Sequence, residues 1–359
     1  MKHTTKIVLS GGPGGGKSEA IKLLENKLTE LGFSVFCANE AATELLSEGF
    51  DREGKPAYEF QKEIAKRQLK HEAELEALAE NRENAVIIFD RGLMDSRVYL
   101  NDAEFERLKT ELGLCEVDLR DRYDAVFHMD STSSGENTFY SLSEARTESR
   151  DSARRINERS LRAWCGNPHY RFIPVMPEFE AKFKILLREV KAFLGIPKPL
   201  EIERKYLIRY PDLELLKNLV CSKSHIRQTY LDGENGRFRL RERGENDRNI
   251  YILTKKEKIS ELVRVETEKR ISREEYETLL AQNTQIGTIE KDRYCLMHGG
   301  VYYEIDVFPF WTKQAYMEVE LLSESDPVII PDFITLIREV TYDPAYKNSS
   351  LCRNIPAED

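Results

Sequence analysis

Two sets of residues in this 359-residue chain have the types and the spacing to handle phosphate. The first is Gly11-Gly12-Pro13-Gly14-Gly15-Gly16-Lys17-Ser18, which fits G-x-x-x-x-G-K-[ST]. Gly11, Gly14 and Gly16 let backbone N–H groups close around phosphate oxygens, and the helix N-terminus behind them favours an anion. Lys17 is spaced to reach the β- and γ-phosphates of ATP or GTP, and the Ser18 hydroxyl to ligate Mg²⁺. Asp90, in Phe89-Asp90-Arg91-Gly92, ends a buried strand where it can hold the same metal or its water shell. A helix N-cap is the plainer role for that aspartate. Glu40, in Asn39-Glu40-Ala41-Ala42, ends another strand and could accept a proton from an acceptor hydroxyl, or simply be a solvated loop residue. Arg146, Arg150 and Arg154 are spaced by four and share one helix face. They are candidates for a lid over the phosphates, or for a charged face set among Glu144, Glu148 and Asp151.

The second set is a run of strands with one charged face each. Glu201, Glu203 and Lys205 alternate along Glu201-Ile202-Glu203-Arg204-Lys205-Tyr206. Arg237, Arg239 and Arg241 oppose Phe238 and Leu240. Arg264, Glu266 and Glu268 oppose Val263 and Val265. Lys291 and Arg293 alternate on the next strand, Glu304 and Asp306 oppose Tyr303, Ile305 and Val307, and Glu318 and Glu320 oppose Met317, Val319 and Leu321. Lys256 adds a further cation, with Lys255 its rival for the position. One such face would point to water. Six or seven in succession fit a sheet closed into a barrel, with its apolar faces outward under helices and its charges lining the interior. Buried charges persist only when paired or ion-bound. Carboxylates suit Mg²⁺ or Mn²⁺ and the lysines and arginines suit phosphate oxygens, so the lumen suits a metal–polyphosphate complex.

The elements that must position these groups divide the chain. Ile7–Leu9, Phe33–Ala38, Ala85–Phe89 and Ala125–His128 read as strands, alternating with helices over Lys17–Leu31, Pro56–Asn81 and Phe179–Leu194. That alternation predicts an α/β domain with a parallel sheet over residues 1–197. Gly195-Ile196-Pro197-Lys198-Pro199-Leu200 reads as a boundary. Residues 200–359 read as an α+β domain built on a closed antiparallel β-barrel, with helices near Asp212–Val220 and Arg273–Ala281.

Composition sets outer limits. The net charge of -9 argues against bulk attraction to nucleic acid or an anionic membrane. Six scattered cysteines without a CxxC pair suit reduced thiols, and the first residues lack the apolar stretch of a signal peptide. A cytoplasmic protein without membrane partners is the expectation.

On the P-loop, Glu40, the Asp90-Arg91-Gly92 step and the arginine-rich segment, the first half resembles P-loop kinases of the AAA_28 type, related to ribosylnicotinamide and deoxynucleoside kinases. Trp164-Cys165-Gly166-Asn167-Pro168-His169 is similar to the late segment of that group. The second half resembles the CYTH domain of the triphosphate tunnel metalloenzymes. Glu201-Ile202-Glu203-Arg204-Lys205 matches the ExExK signature. Arg239/Arg241, Lys256, Glu266/Glu268, Lys291/Arg293, Asp306 and Glu318/Glu320 follow the family order. Tyr346-Lys347-Asn348-Ser349-Ser350-Leu351 is similar to the family's last segment, with Lys347 a tunnel lysine. The resemblance implies hydrolysis of inorganic triphosphate, pyrophosphate, thiamine triphosphate, a nucleoside triphosphate or an RNA 5′-triphosphate. It implies Glu201, Glu203, Glu318 and Glu320 as metal ligands and the cations as phosphate holders. The same cradle serves class IV adenylate cyclases. Two other assignments are a small-molecule kinase in the first half, and a nucleotide-gated binding module without turnover.

Overall fold

The computed structural model describes residues 4–51, 54–131, 150–196, 202–233, 236–245, 248–258, 264–323 and 325–358. The chain divides into two compact units, Met1–Phe193 and Leu194–Asp359.

Unit 1 runs β1 (Thr5–Ser10), α1 (Lys17–Glu30), β2 (Ser34–Ala38), α2 (Ala41–Ser47), α3 (Ala57–Ala79), β3 (Ala85–Asp90), α4 (Asp102–Leu112), α5 (Glu116–Arg120), β4 (Ala125–Met129), α6 (Arg150–Trp164), β5 (Tyr170–Ile173) and α7 (Phe179–Phe193). A 3₁₀ turn, Leu93–Val98, follows β3. The strands form one sheet in the order β2-β3-β1-β4-β5, with every pair parallel. β3 and β4 are buried along their whole length, as strands covered on both faces must be. This is why they read as unbroken apolar runs and not as alternation. The parallel order brings the carboxyl ends of β1, β2, β3 and β4 to one sheet edge, so the P-loop, Glu40, Asp90 and Asp130 share that edge.

Unit 2 runs β6 (Ile202–Arg209), α8 (Leu213–Asn218), β7 (Cys221–Gly233), β8 (Gly236–Glu245), β9 (Arg248–Lys258), β10 (Arg264–Ile271), α9 (Arg273–Gln282), β11 (Thr284–His298), β12 (Val301–Val307), β13 (Gln314–Leu321), β14 (Leu336–Glu339) and α10 (Asn348–Leu351). One antiparallel sheet has the order β10-β9-β8-β7-β11-β12-β13-β6-β14. Among the described residues β10 and β14 remain its two ends. The fold is therefore an antiparallel sheet with attached helices, and the closed barrel expected from the sequence is a finer statement than the strand pairing makes.

Cross-strand register fixes which residues share a face. Glu318 lies opposite Lys205 and Glu304, Glu320 opposite Glu203, and Asp306 opposite Arg293. Gln228 lies opposite Arg241 and Tyr230 opposite Arg239. Arg239 lies opposite Thr254, which lies opposite Glu268. The charged positions thus form one continuous face. The other face is apolar where helices and loops cover it, and carries surface ion pairs such as Lys223–Asp292 and Arg227–Glu290 elsewhere. Tyr206, Ile208, Leu296, Ile305, Met317 and Val319 pack with Leu216 of α8. Leu231, Leu240 and Ile271 pack with Tyr276 of α9. Part of the charged face is also filled: Leu207, Ile289, Phe308, Trp311, Tyr316, Tyr346 and Leu351 form an apolar floor beside the charges.

Candidate functional site

In unit 1 the chain after β1 turns through glycine backbone. Gly11 has φ 128°, and a Cβ there would lie 2.3 Å from the Met129 carbonyl oxygen, so only glycine fits. Gly16, at φ 81°, caps α1. Lys17 is buried and donates from Nζ to the carbonyls of Gly11 (3.1 Å) and Gly12 (3.0 Å). Burial first, then the neighbouring Arg91 charge, lowers its pKa to about 8. Ser18 Oγ donates to Asp90 Oδ2 at 3.0 Å. The other Asp90 oxygen is buried without a partner, and burial raises the carboxyl's pKa. That leaves a hydroxyl and a strand-end carboxylate side by side with an open lone pair, the donor set a Mg²⁺ ion takes.

Arg91 has φ 70°, a conformation costly for a side chain with a Cβ. Its guanidinium is held by Glu40 Oε1 (3.1 Å) and the Gly11 carbonyl (3.2 Å). Burial opposes ionisation of Glu40, but Arg91 and the Thr43 hydroxyl outweigh it and hold its pKa below the usual value. Glu40, Lys17, Ser18 and Asp90 are therefore one ensemble. Of the lid candidates, Arg146 lies outside the described residues and Arg150 is described in its backbone alone. Arg154 is exposed and pairs with Glu158 on its own helix at 3.1 Å.

The sequence reading missed Asp95, Asn157 and Lys182. Asp95 accepts from Ser10 Oγ (2.7 Å), the Gly92 N–H (2.9 Å) and Trp164 Nε1 (3.2 Å). Lys182 is a buried lysine in the apolar stripe of Phe183, Leu186 and Val190 on α7. A cation within such a stripe was the available signal.

In unit 2, Arg293 is the hub of the charged face. Its guanidinium makes two 2.7 Å bonds to Asp306 and one of 2.7 Å to Glu318, and also bonds Glu304. Lys291 pairs with Asp306, and both are essentially unexposed, at 1% and 0% of the side chain. Lys205 pairs with Glu318 at 2.6 Å and approaches Glu203 at 3.9 Å. Burial opposes ionisation of Glu318, but Lys205, Lys291 and Arg293 together hold its pKa well below the usual carboxylate range. Glu203 differs: the Glu318 charge first, and burial second, push it up to about 8. Two carboxylates facing one another with the outer one driven toward protonation is an arrangement a divalent cation relieves.

Across the face, Arg239 donates to Glu268 (3.0 Å) and Thr254 (3.2 Å), and Arg241 lies 3.8 Å from Glu268. The Nε–H groups of both arginines are buried with no hydrogen-bond partner. Burial and the adjacent Arg239 lower the Arg241 pKa. Two adjacent guanidiniums with orphan donors form a cradle for anionic oxygens.

Lys347 is exposed and lines a cleft of about 160 Å³ with Glu203, Lys205, Thr341, Asp343 and Tyr346. Glu320 is exposed beside Glu203. Glu201 lies outside the described residues, and Lys256 and Glu266 are described in their backbone alone, paired opposite each other. Among the described residues no three His, Cys, Asp or Glu side chains converge as a metal site. No helix among them is long and apolar enough to cross a membrane.

Comparison with known proteins follows this division. Residues 6–182 match the AAA domain family AAA_28, and residues 199–344 match the CYTH domain. Curated proteins give no match. Among solved structures, the inorganic triphosphatase NE1496 is 31% identical over 44% of this chain and 97% of its own, with a TM-score of 0.30. The PH1819 protein from Pyrococcus horikoshii OT3 is 23% identical over 35% of this chain and 80% of its own, with a TM-score of 0.27. NadR protein in complex with NR is 13% identical over 54% of this chain and 52% of its own, with a TM-score of 0.41. The chain joins an N-terminal member of the AAA_28 family of AAA domains to a C-terminal member of the CYTH domain family.

Proposed function

We propose that unit 2 hydrolyses a short linear polyphosphate with the help of Mg²⁺ or Mn²⁺, and that unit 1 binds ATP or GTP. The observation that carries the hydrolase reading is the division of labour on the charged face. One wall holds Glu203, a carboxyl driven toward protonation by the ionised Glu318 near it, and the other holds buried arginine donors short of an acceptor. A metal–polyphosphate complex satisfies both at once.

In this reading the sheet curls so that its charged face encloses the substrate. Glu203 and Glu318 hold the cation, with Glu201 and Glu320 as further candidate ligands. When bound, the cation polarises a phosphoryl oxygen and makes an attacking water more acidic. Arg239 and Arg241, extended by Arg237 and Lys256, hold phosphate oxygens and stabilise charge on the departing group. Lys205 and Lys347 take the oxygens nearest the cleft. Lys291, Arg293 and Asp306 keep Glu318 ionised and in place. A base-free substrate is favoured over a nucleotide, and hydrolysis over cyclisation. Tyr316, whose ring lies 5.1 Å from Lys205 Nζ, and Tyr346, which lines the cleft, are both buried against their neighbours and are poorly placed to stack a base.

In unit 1, Lys17 and the loop amides hold phosphates, Ser18 and Asp90 hold the metal, and ionised Glu40 sits where an acceptor hydroxyl could give up a proton. Transfer of the γ-phosphate to a small hydroxylated acceptor is the chemistry this ensemble supports.

The test is metal-dependent phosphate release. The intact chain with Mn²⁺ should release phosphate from tripolyphosphate, Arg241→Ala should lose most of it, and Lys17→Ala should keep it. Cyclic AMP formed from ATP, or release abolished by Lys17→Ala and untouched by Arg241→Ala, refutes the reading.

A further inference from the structure

We propose that Lys182 and Asn157 are positioning residues that grip the phosphate loop from behind and fix which way its peptide groups face. The inference rests on the nucleotide reading of unit 1. Lys182 on α7 is 5% exposed and sends Nζ to the Gly15 carbonyl (2.8 Å) and the Asp130 carbonyl (2.5 Å). Asn157 on α6 accepts the Gly12 N–H at Oδ1 (2.9 Å) and donates from Nδ2 to Asp130 Oδ1 (2.7 Å). Asp130, just past β4, is thus bonded to both helices, through its backbone to one and its side chain to the other.

The consequence follows from the planarity of the trans peptide, in which C=O and N–H point opposite ways. Holding the Gly12 N–H toward Asn157 turns the Gly11 carbonyl the other way, where it accepts from Lys17 (3.1 Å) and Arg91 (3.2 Å). Holding the Gly15 carbonyl toward Lys182 turns the Gly16 N–H away from α7, toward the side where a phosphate is held. The fit is tight. A Cβ on Gly15 would lie 2.7 Å from the Met129 carbonyl oxygen, and one on Gly16 would lie 2.6 Å from the Phe179 ring. Glycine chains flip their peptides readily, and a loop this rich in glycine needs an outside constraint to hold one shape. A buried ammonium is expensive unless its donors are used, and here the loop uses them. It also adds a second positive charge behind the one Lys17 supplies.

The experiment is calorimetric titration of Mg²⁺-ATP into the full chain, with Lys17→Ala as the control that assigns the signal to the loop. Lys182→Met should weaken ATP binding at least tenfold, and Lys182→Arg, which keeps the charge and the donors, should recover most of the loss. Asn157→Ala should weaken binding about fivefold, and it carries the test if Lys182→Met does not fold. Thermal unfolding checks each variant. A folded Lys182→Met or Asn157→Ala chain that binds ATP within twofold of wild type overturns the inference alone. Equal loss in Lys182→Met and Lys182→Arg overturns it too. A wild-type chain that binds no ATP overturns the nucleotide reading and this inference with it.

Discussion

Glu318→Gln tests the charged face at its centre. Glu318 makes two ion pairs, to Lys205 at 2.6 Å and Arg293 at 2.7 Å. The variant keeps shape and one acceptor oxygen but removes the charge. Arg293 loses little, because Asp306 and Glu304 still neutralise it. Lys205 loses more, because its other carboxylate neighbour, Glu203, stands 3.9 Å away. Removing one member of a buried ion pair costs about 3–5 kcal/mol when nothing replaces it. With one cation still paired and an amide oxygen in place, about 2–3 kcal/mol is expected. For a unit of this size that is a fall of roughly 5–10 °C in its unfolding transition. Activity should fall further than stability, by about 10²–10³-fold, because Glu318 also serves the cation that orders the substrate. The assay is phosphate release from tripolyphosphate at saturating Mn²⁺, at a temperature where calorimetry shows the variant folded. Wild-type turnover in the folded variant refutes the assignment of Glu318 to the site. An unchanged unfolding transition refutes the claim that its ion pairs are stabilising.

The pH dependence of metal binding follows from Glu203. A carboxyl raised from 4.5 to about 8 is protonated in the folded chain across that window, so ionising it weakens the fold as pH rises through it. Cation binding needs the ionised form, so Mn²⁺ affinity should climb from about pH 6 to about pH 8 with proton release in calorimetry; a flat profile counts against the pair. Arg241→Met removes a buried guanidinium with an orphan donor, so unit 2 should be no less stable while KM for tripolyphosphate rises at least tenfold. A wild-type KM would show that the orphan donors do not face substrate. Lys17, lowered from 10.5 to about 8, gives the opposite sign: unit 1 without nucleotide should gain stability as pH rises from about 8 to about 10.5. Lys17→Met should blunt that gain by roughly 1–3 kcal/mol, and an unaltered slope in its thermal unfolding would assign the gain elsewhere.

The charged faces were legible because a strand's period of two is a geometric fact. Alternation along each strand put Lys205, Arg239, Arg293 and Glu318 on polar faces, and pairing then joined those faces into one. Pairing also decided between neighbouring lysines: Lys255 lies opposite Phe238, on the apolar side, and Lys256 opposite Glu266. The P-loop, Glu40 and Asp90 were legible for a related reason, since parallel strands bring their carboxyl ends to one edge. What alternation could not reveal was how charges on one face divide among themselves. Lys291 and Arg293 read as free phosphate cations, yet Asp306, Glu304 and Glu318 already engage them, while Arg239 and Arg241 keep unused donors. That division depends on which acids lie opposite which bases, a long-range property of register.

The same distinction, between groups already engaged and groups left unpaired, holds in both units. Two cations already have their donors taken up within the fold: Lys182 by the Gly15 and Asp130 carbonyls, and Arg293 by Asp306, Glu304 and Glu318. The groups left buried without a partner are Asp90 Oδ1 and the Nε–H groups of Arg239 and Arg241. Burial without a partner costs a folded chain about 1–3 kcal/mol per group. Stability alone would favour replacing such groups with apolar ones of similar shape. Their unmet demand is therefore better explained by a ligand than by the fold, and they are where substrate and metal should be sought first.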